Sequence, residues 1–206
     1  DVRKRKLELY ANINADHVIS MPDVIGEGTP NTIYIIPINL EKENFGEKLM
    51  ETLKLKKKKD ADWKAWEEKV SRLINPKEDI QVAMIGKYLD IGDYQLTDSY
   101  ISVNEALKHA GAKNNARVNI TWIDSKTLEN NADLKKLMAG YHGVIIPGGF
   151  GTSGVEGKIN AIRYARENNL PFLGLCLGLQ MAVVEFARNV CCLGDANSSE
   201  INPESK

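Results

Sequence analysis

The chain has 206 residues, of which 43% are hydrophobic, and carries a formal net charge of −1 at pH 7. That apolar share suffices for a buried core, while the near-zero charge argues against nucleic acid or an acidic membrane surface as a partner. No apolar run approaches the ~20 residues of a membrane-spanning helix, and the opening Asp1-Val2-Arg3-Lys4-Arg5-Lys6 leads into no signal-peptide stretch.

Residues 1–40 hold two short apolar runs, Leu7-Glu8-Leu9-Tyr10 and Thr32-Ile33-Tyr34-Ile35-Ile36-Pro37. The Gly/Pro-containing stretch Gly26-Glu27-Gly28-Thr29-Pro30-Asn31 between them reads as a loop. Taken as two short strands, these runs cannot stand as an independent domain. Residues 1–40 therefore read as the C-terminal remnant of a domain whose body lies upstream. The chain does not begin with Met, and it closes at Pro203-Glu204-Ser205-Lys206 just behind a helix, so both ends are expected to be cuts in a longer protein.

Residues 41–79 are charged and helical in pattern, with Phe45, Leu49 and Leu53 and then Trp63, Trp66, Val70 and Leu73 at helical spacing. The lysine run Lys54, Lys56–Lys59 between them has no glycine loop or aromatic to aim it at a ligand, and it reads as part of a solvated linker. From residue 80 the pattern changes. Strands are expected at 80–86, 117–123, 143–147 and 171–175, and helices at 96–110, 126–139, 155–168 and 178–190. Strands alternating with helices imply an α/β domain over 80–206, an open, mostly parallel sheet with helices on both faces.

The run Gly174-Leu175-Cys176-Leu177-Gly178-Leu179-Gln180 lies where the last strand meets the last helix. Glycines two residues either side of a cysteine match the nucleophile elbow G-x-S-x-G, with cysteine in place of serine. A turn this tight puts the central residue in an unfavourable backbone conformation and leaves no room for bulky neighbours. It lifts the sulfur above the C-terminal edge of the sheet, where open α/β folds bind ligands. The helix N-terminus favours the thiolate, and the Leu177 N–H points where an oxyanion would form. A second glycine loop, Pro147-Gly148-Gly149-Phe150-Gly151-Thr152-Ser153-Gly154, follows the preceding strand and so lies on the same edge. Its bare backbone admits a ligand closely, and Gly149 N–H would pair with Leu177 N–H as an oxyanion hole. As a phosphate loop it is poorer, because no G-x-x-x-x-G-K-[ST] is present, although Lys158 lies nearby. Three cysteines, Cys176, Cys191 and Cys192, are too few and too clustered for disulfides or a CxxC zinc site, which favours a reducing, cytoplasmic setting and leaves no metal ligands. Cys191 and Cys192 close the elbow helix and read as packing residues.

These motifs resemble the class I, triad-type glutamine amidotransferases, whose nucleophile motif reads G-[IVL]-C-x-G-x-Q, and more narrowly the CTP synthase family. The likeness runs through Gly86-Lys87-Tyr88, Asp98 to Leu107, Pro147 to Gly151, Gly154-Val155-Glu156-Gly157, the Cys176 elbow and Asn197-Ser198-Ser199-Glu200, and residues 3–40 resemble the end of that family's α/β synthetase domain. The resemblance implies a glutaminase that releases ammonia through a cysteine thioester. It implies a synthetase that uses ATP and Mg²⁺, bound mainly outside these residues, to aminate UTP to CTP. It further implies GTP as allosteric activator and a homotetramer for the intact protein. By position, Cys176 matches the nucleophile; Gly149, Leu177, Gly178, Leu179, Gln180 and Glu200 match glutamine contacts; Lys6 matches a UTP/CTP contact; and Pro22, Asp23 and Val24 match an adenine-nucleotide contact.

Three features depart from the family. Ser153 stands where a basic residue is expected, Gly26–Asn31 reads as an insertion beside the nucleotide contact, and no His-x-Glu follows the elbow. None of His17, His109 and His142 falls where a general base for Cys176 could sit, so the His and Glu of the triad are expected downstream. Two other readings remain: the glutaminase component of another amidotransferase, or a catalytically dead relative that only binds or assembles.

Overall fold

The computed structural model describes residues 2–86, 90–91, 94–95, 100–129 and 134–205. The motif residues Lys87, Tyr88, Asp98 and Ser99 lie outside them, as do the first four residues expected of the 96–110 helix. The chain separates into two units, Asp1–Pro76 and Lys77–Lys206.

The first unit is helical. Helices α1 (Val2–Ala11), α2 (Ile36–Lys42), α3 (Phe45–Thr52) and α4 (Lys64–Ile74) are its main elements. The two runs read as strands are thus overturned: Leu7–Tyr10 lies within α1, and Thr32–Pro37 forms a 3₁₀ turn leading into α2. The period-2 spacing of Leu7 and Leu9 is too short a signal against the Arg, Lys, Leu and Glu around it, all good helix formers. Pro37 sits in the first turn of α2, where its missing N–H has no intrahelical acceptor to satisfy. Thr32 caps the 3₁₀ turn through its side-chain oxygen and the Tyr34 N–H, 3.3 Å apart. Val70 of α4 is buried, and the Trp66 indole donates to the Tyr34 carbonyl at 2.9 Å. The lysine run is exposed, and Lys57 bridges Glu47 and Asp60.

The second unit is built on β1 (Glu78–Gly86), followed by the short antiparallel pair β2 (Asp90–Ile91) and β3 (Tyr94–Gln95). Then come α5 (Ile101–Lys113), β4 (Ala116–Asp124), α6 (Leu134–Met138), β5 (Gly143–Ile146), α7 (Val155–Glu167), β6 (Phe172–Gly174) and α8 (Leu177–Asn189). Four of these strands form an all-parallel sheet in the order β4-β1-β5-β6. The register pairs Ala83 with Thr121 and Val144, and Ile145 with Leu173. The period of two along β1 and β5 sorts side chains to opposite faces. Ala83, Ile85, Val144 and Ile146 meet α7 and α8 through Ile159, Ile162, Leu177, Met181 and Val184. Val82, Met84 and Ile145 meet Val103 and Leu107 of α5 on the other face. The chain moves from β1 to β4 on one side and then to β5 on the other. The C-terminal ends of β1 and β5 therefore mark the switch point at which such sheets bind ligands.

The helix expected over 126–139 is not continuous. Residues Ser125–Leu128 form a 3₁₀ turn, and among the described residues of this span only Leu134–Met138 are α-helical. Local bonds outcompete the helix here. Asp124 accepts from the Lys126 N–H at 2.9 Å, Thr127 Oγ1 donates back to the Asp124 carbonyl at 2.6 Å, and Asn160 takes the Leu128 carbonyl at 3.0 Å. Ser125 is fully buried beneath Gly154 and Gly157, whose missing side chains let α7 pass directly over it.

Candidate active site

Strand β6 ends at Gly174 and α8 begins at Leu177, so the chain reverses over two residues. Leu175 N–H still donates to the Ile146 carbonyl at 2.9 Å, which carries the β5–β6 pairing to the edge of the turn. The Cys176 carbonyl then accepts from Leu179 N–H at 3.0 Å and Gln180 N–H at 3.2 Å and starts the helix. Between these anchors Cys176 has φ 52° and ψ −108°, a backbone conformation that stores about 1–3 kcal/mol for a residue with a side chain. Its thiol is exposed.

The flanking glycines are needed for close approach rather than for unusual φ. A Cβ on Gly174 would stand 2.6 Å from the Gly178 carbonyl, and one on Gly178 would strike the Ile146 carbonyl oxygen. The two glycines thus let strand, turn and helix stack directly on one another. Leu177, the first residue of α8, presents an N–H with no intrahelical acceptor.

The glycine loop after β5 lies against the turn. A Cβ on Gly148 would be 3.4 Å from Cys176 Cβ and 3.9 Å from Sγ. Tyr100 Oη donates to the Gly148 carbonyl at 3.1 Å, and its ring packs on Trp122 at 5.3 Å between centroids. Gly149 lies over Leu177 and the buried Lys158, with Leu177 Cδ2 and Lys158 Nζ 3.6 and 3.8 Å from where its Cβ would be. Gly154, at φ 75°, opens α7.

Farther along α8, the Gln180 side chain is held at both ends. Its Nε2 donates to Glu200 at 3.2 Å, and its Oε1 accepts from Ser198 Oγ at 2.7 Å. Gly149 is thus brought to Leu177, the residue after Cys176, and Gln180 joins Glu200 across 20 positions of sequence. Leu179 points outward and is 58% exposed. Tyr100, Lys158 and Ser198 touch these residues without having been singled out for it. Tyr100 and Ser198 fall within the family-like stretches and Lys158 reads as near the loop, but nothing in the sequence signals burial beneath that loop or a bond to a distant glutamine.

The nucleotide-type residues lie in the first unit. Pro22 lines a cavity of about 600 Å³ with Arg3, Lys4, Lys42 and Glu43. Lys6 is exposed and does not line it. Val24 is buried, its carbonyl accepting from Thr32 N–H at 3.1 Å, and Asp23 is exposed. Among the described residues no group of three His, Cys, Asp or Glu side chains could hold a metal ion. No described helix is long and apolar enough to cross a membrane. His142 immediately precedes β5, its Nδ1 accepting from Gln81 N–H at 2.9 Å. His109 lies in the last turns of α5, ahead of β4. Both stand at the sheet edge opposite Cys176. Cys191 and Cys192 follow α8 and are exposed, which corrects their reading as packing residues.

Known proteins with this arrangement are consistent with one another. The family model for "Glutamine amidotransferase class-I" matches residues 95–204. The CTP synthase of Methanocaldococcus jannaschii is 44% identical over 212 residues, covering 100% of this chain and 37% of the relative. That of Methanococcus maripaludis is 46% identical over 208 residues, covering 98% and 37%. The chain therefore spans little more than a third of the length of the curated relatives it matches. A solved structure of the Trypanosoma brucei CTPS glutaminase domain with bound acivicin superposes with a TM-score of 0.56 at 41% identity, covering 62% of this chain and 47% of that one. With the elbow, the glycine loop beside it and the parallel sheet beneath both, the chain belongs to the class-I glutamine amidotransferase family.

Proposed function

We propose that Cys176 is the nucleophile of a glutaminase site that supplies ammonia to a CTP synthase. The observation that carries this reading is the strained, exposed Cys176 turn with Gly148 packed against its sulfur. In the chemistry we assign, the Cys176 thiolate attacks the side-chain amide carbon of glutamine and pushes the C=O electrons onto oxygen. The N–H groups of Leu177 and Gly149 stabilise that oxyanion. Collapse of the intermediate expels nitrogen, which takes up a proton and leaves as ammonia, and a thioester remains on Cys176. Water then attacks the thioester, releasing glutamate and restoring the thiol. Glu200 is a reasonable partner for the α-ammonium group of glutamine, and its bond to Gln180 holds it in place.

The three histidines do not serve as the base, so we infer that residues 1–206 alone hydrolyse glutamine poorly. In the intact enzyme the ammonia would displace phosphate from UTP activated by ATP and Mg²⁺, giving CTP. On this reading residues 1–40 belong to the synthetase, 41–79 link it, and 80–206 belong to the glutaminase domain. The identity to CTP synthases, which extends through the first unit, favours this acceptor over those of other amidotransferases. The test is CTP formation by the full-length protein from UTP, ATP and Mg²⁺, with either glutamine or ammonia. Cys176→Ala should abolish glutamine-driven synthesis and leave ammonia-driven synthesis. Glutamine-driven CTP formation that survives the substitution would remove Cys176 from the chemistry, and no CTP from either nitrogen source would remove the acceptor.

A further inference from the structure

Ser198 belongs to a closed ring of hydrogen bonds beside the elbow helix. Gln180 lies one turn along α8 from Cys176, whose carbonyl accepts from the Gln180 N–H at 3.2 Å, and residues four apart share one side of a helix. The Gln180 side chain accepts at Oε1 from Ser198 Oγ at 2.7 Å and donates from Nε2 to Glu200 Oε1 at 3.2 Å. The Glu200 N–H in turn donates to Ser198 Oγ at 3.3 Å. Both the main chain and the carboxylate of Glu200 are therefore tied to the same pair of side chains.

The chemistry of these groups fixes the direction of every bond in the ring. An ionised carboxylate only accepts, whereas a primary amide donates from nitrogen and accepts at oxygen. Glu200 must therefore face the amide nitrogen of Gln180, which turns Oε1 toward Ser198 and obliges that hydroxyl to donate. The bonds then run one way round and reinforce one another. A carboxylate has two oxygens and about four acceptor sites, so Glu200 keeps room for a ligand cation. The turn that carries Ser198 is held by other atoms. The Ser198 carbonyl accepts from the N–H groups of Ile201 and Asn202 at 2.9 Å each, and the Ser198 N–H donates to Asn197 Oδ1 at 2.9 Å. Ser205 Oγ donates to the Asn197 carbonyl, also at 2.9 Å. None of these bonds uses the Ser198 hydroxyl.

Building on the reading of Cys176 and Glu200 as parts of a glutamine site, we propose that Ser198 is a positioning residue that tunes that site for an α-amino acid. Its hydroxyl locks the Gln180 amide with nitrogen toward Glu200 and so holds the Glu200 carboxylate where the α-ammonium group of glutamine arrives. Without the hydroxyl the amide can turn over, and its oxygen then repels the carboxylate. The Ser198 hydroxyl bonds to Gln180 and Glu200 rather than to Cys176. Its effect therefore falls on binding of the ammonium group and not on the chemical step.

The experiment measures ammonia release by the full-length protein from glutamine and from glutaramate, which is glutamine without its α-amino group. Wild type should prefer glutamine. In Ser198→Ala the KM for glutamine should rise about tenfold, near the low end of what a hydrogen bond to a charged group is worth, with kcat within about twofold. Turnover of glutaramate should stay within about twofold, so the preference for glutamine falls about tenfold. Ser198→Thr keeps the hydroxyl and should bring both quantities back to within about threefold of wild type. An equal loss on both substrates, a fall in kcat alone, an unchanged preference, or a Ser198→Thr that behaves like Ser198→Ala would each overturn the proposal. Failure of Ser198→Ala to fold would make the hydroxyl a part of the turn itself and overturn it too. Turnover that persists in Cys176→Ala defeats the nucleophile reading and this inference with it. A wild type indifferent to the α-amino group removes Glu200 from the ammonium and defeats the inference while leaving Cys176 in place. Turnover lost in Cys176→Ala with the preference intact in Ser198→Ala defeats this inference alone.

Discussion

Gly178 follows Cys176 by two residues and Gly149 lies over Leu177, and the two are glycines for different physical reasons. Gly178 lies inside α8, where alanine would ordinarily be favoured by about 1 kcal/mol. Its Cβ, however, would collide with the backbone carbonyl of Ile146, an atom that cannot move without shifting β5. The clash outweighs propensity, and Gly178→Ala is expected to destabilise by about 3 kcal/mol. Gly149 meets its neighbours at 3.6 and 3.8 Å, ordinary contact distances. Gly149→Ala should therefore keep stability within about 0.5 kcal/mol while lowering glutamine turnover, because the methyl crowds the loop's N–H. Chemical denaturation of the two variants beside a glutaminase assay checks both halves. A strongly destabilised Gly149→Ala would contradict the loop's assignment to ligand approach.

Helices α7 and α8 pack side by side on one face of the sheet, and their joint carries a polar clamp. Arg166 of α7 reaches Glu185 of α8 through bonds of 2.7, 3.0 and 3.2 Å, and Asn189 adds a donor at 3.2 Å. The Glu185 hydrogen bond is the main reason the Arg166 guanidinium is held above its usual pKa. Arg166→Ala would strand a carboxylate that is only 1% exposed, so a loss of about 3 kcal/mol is expected. The double variant Arg166→Leu/Glu185→Leu should recover most of it, because no buried charge then remains. Denaturant midpoints of the two proteins decide, and equal losses in both would show that packing rather than charge carries the joint. Because α8 also carries the elbow, loosening this joint should lower glutamine turnover in the single variant.

Charge acts more diffusely over the molecule. The carboxyls of Glu43, Asp60 and Glu167 are held below their usual range, chiefly by hydrogen bonds from Lys4, Lys57 and Arg163. A depressed folded pKa adds stability that is present above the unfolded value, about 3.9 for Asp and 4.3 for Glu, and is lost as pH falls through the folded one. Lys57 and Arg166 are shifted upward, so their share persists until pH rises beyond about 10.5. Thermal melts should be nearly level from about pH 6 to 9 and fall below about pH 4.5. The decline should be shallow, since Glu43, Asp60 and Glu167 keep 29, 89 and 47% of their side chains exposed and water screens such pairs. A melting temperature that climbs between pH 6 and 4 would contradict this account.

The elbow was legible before any coordinates because its signal is local: two glycines at fixed distance from a cysteine, a strand before them and a helix after. Hard-sphere sterics confine that pattern to few backbone paths, and φ 52° at Cys176 is one of them. The glycine loop and the alternation of strands and helices were legible for the same reason. The run near Leu7 is too short for its periodicity to outweigh the helix propensity around it, and near Ile33 the Thr32 cap and Pro37 start a helical turn. Tertiary packing decided the rest. Asn160 reaches the Leu128 carbonyl from another helix. The partnership of Gln180 with Ser198 and Glu200, and the burial of Lys158 beneath Gly149, depend on segments far apart in the chain. Such contacts form only when the whole sheet has assembled, so no short stretch of sequence encodes them.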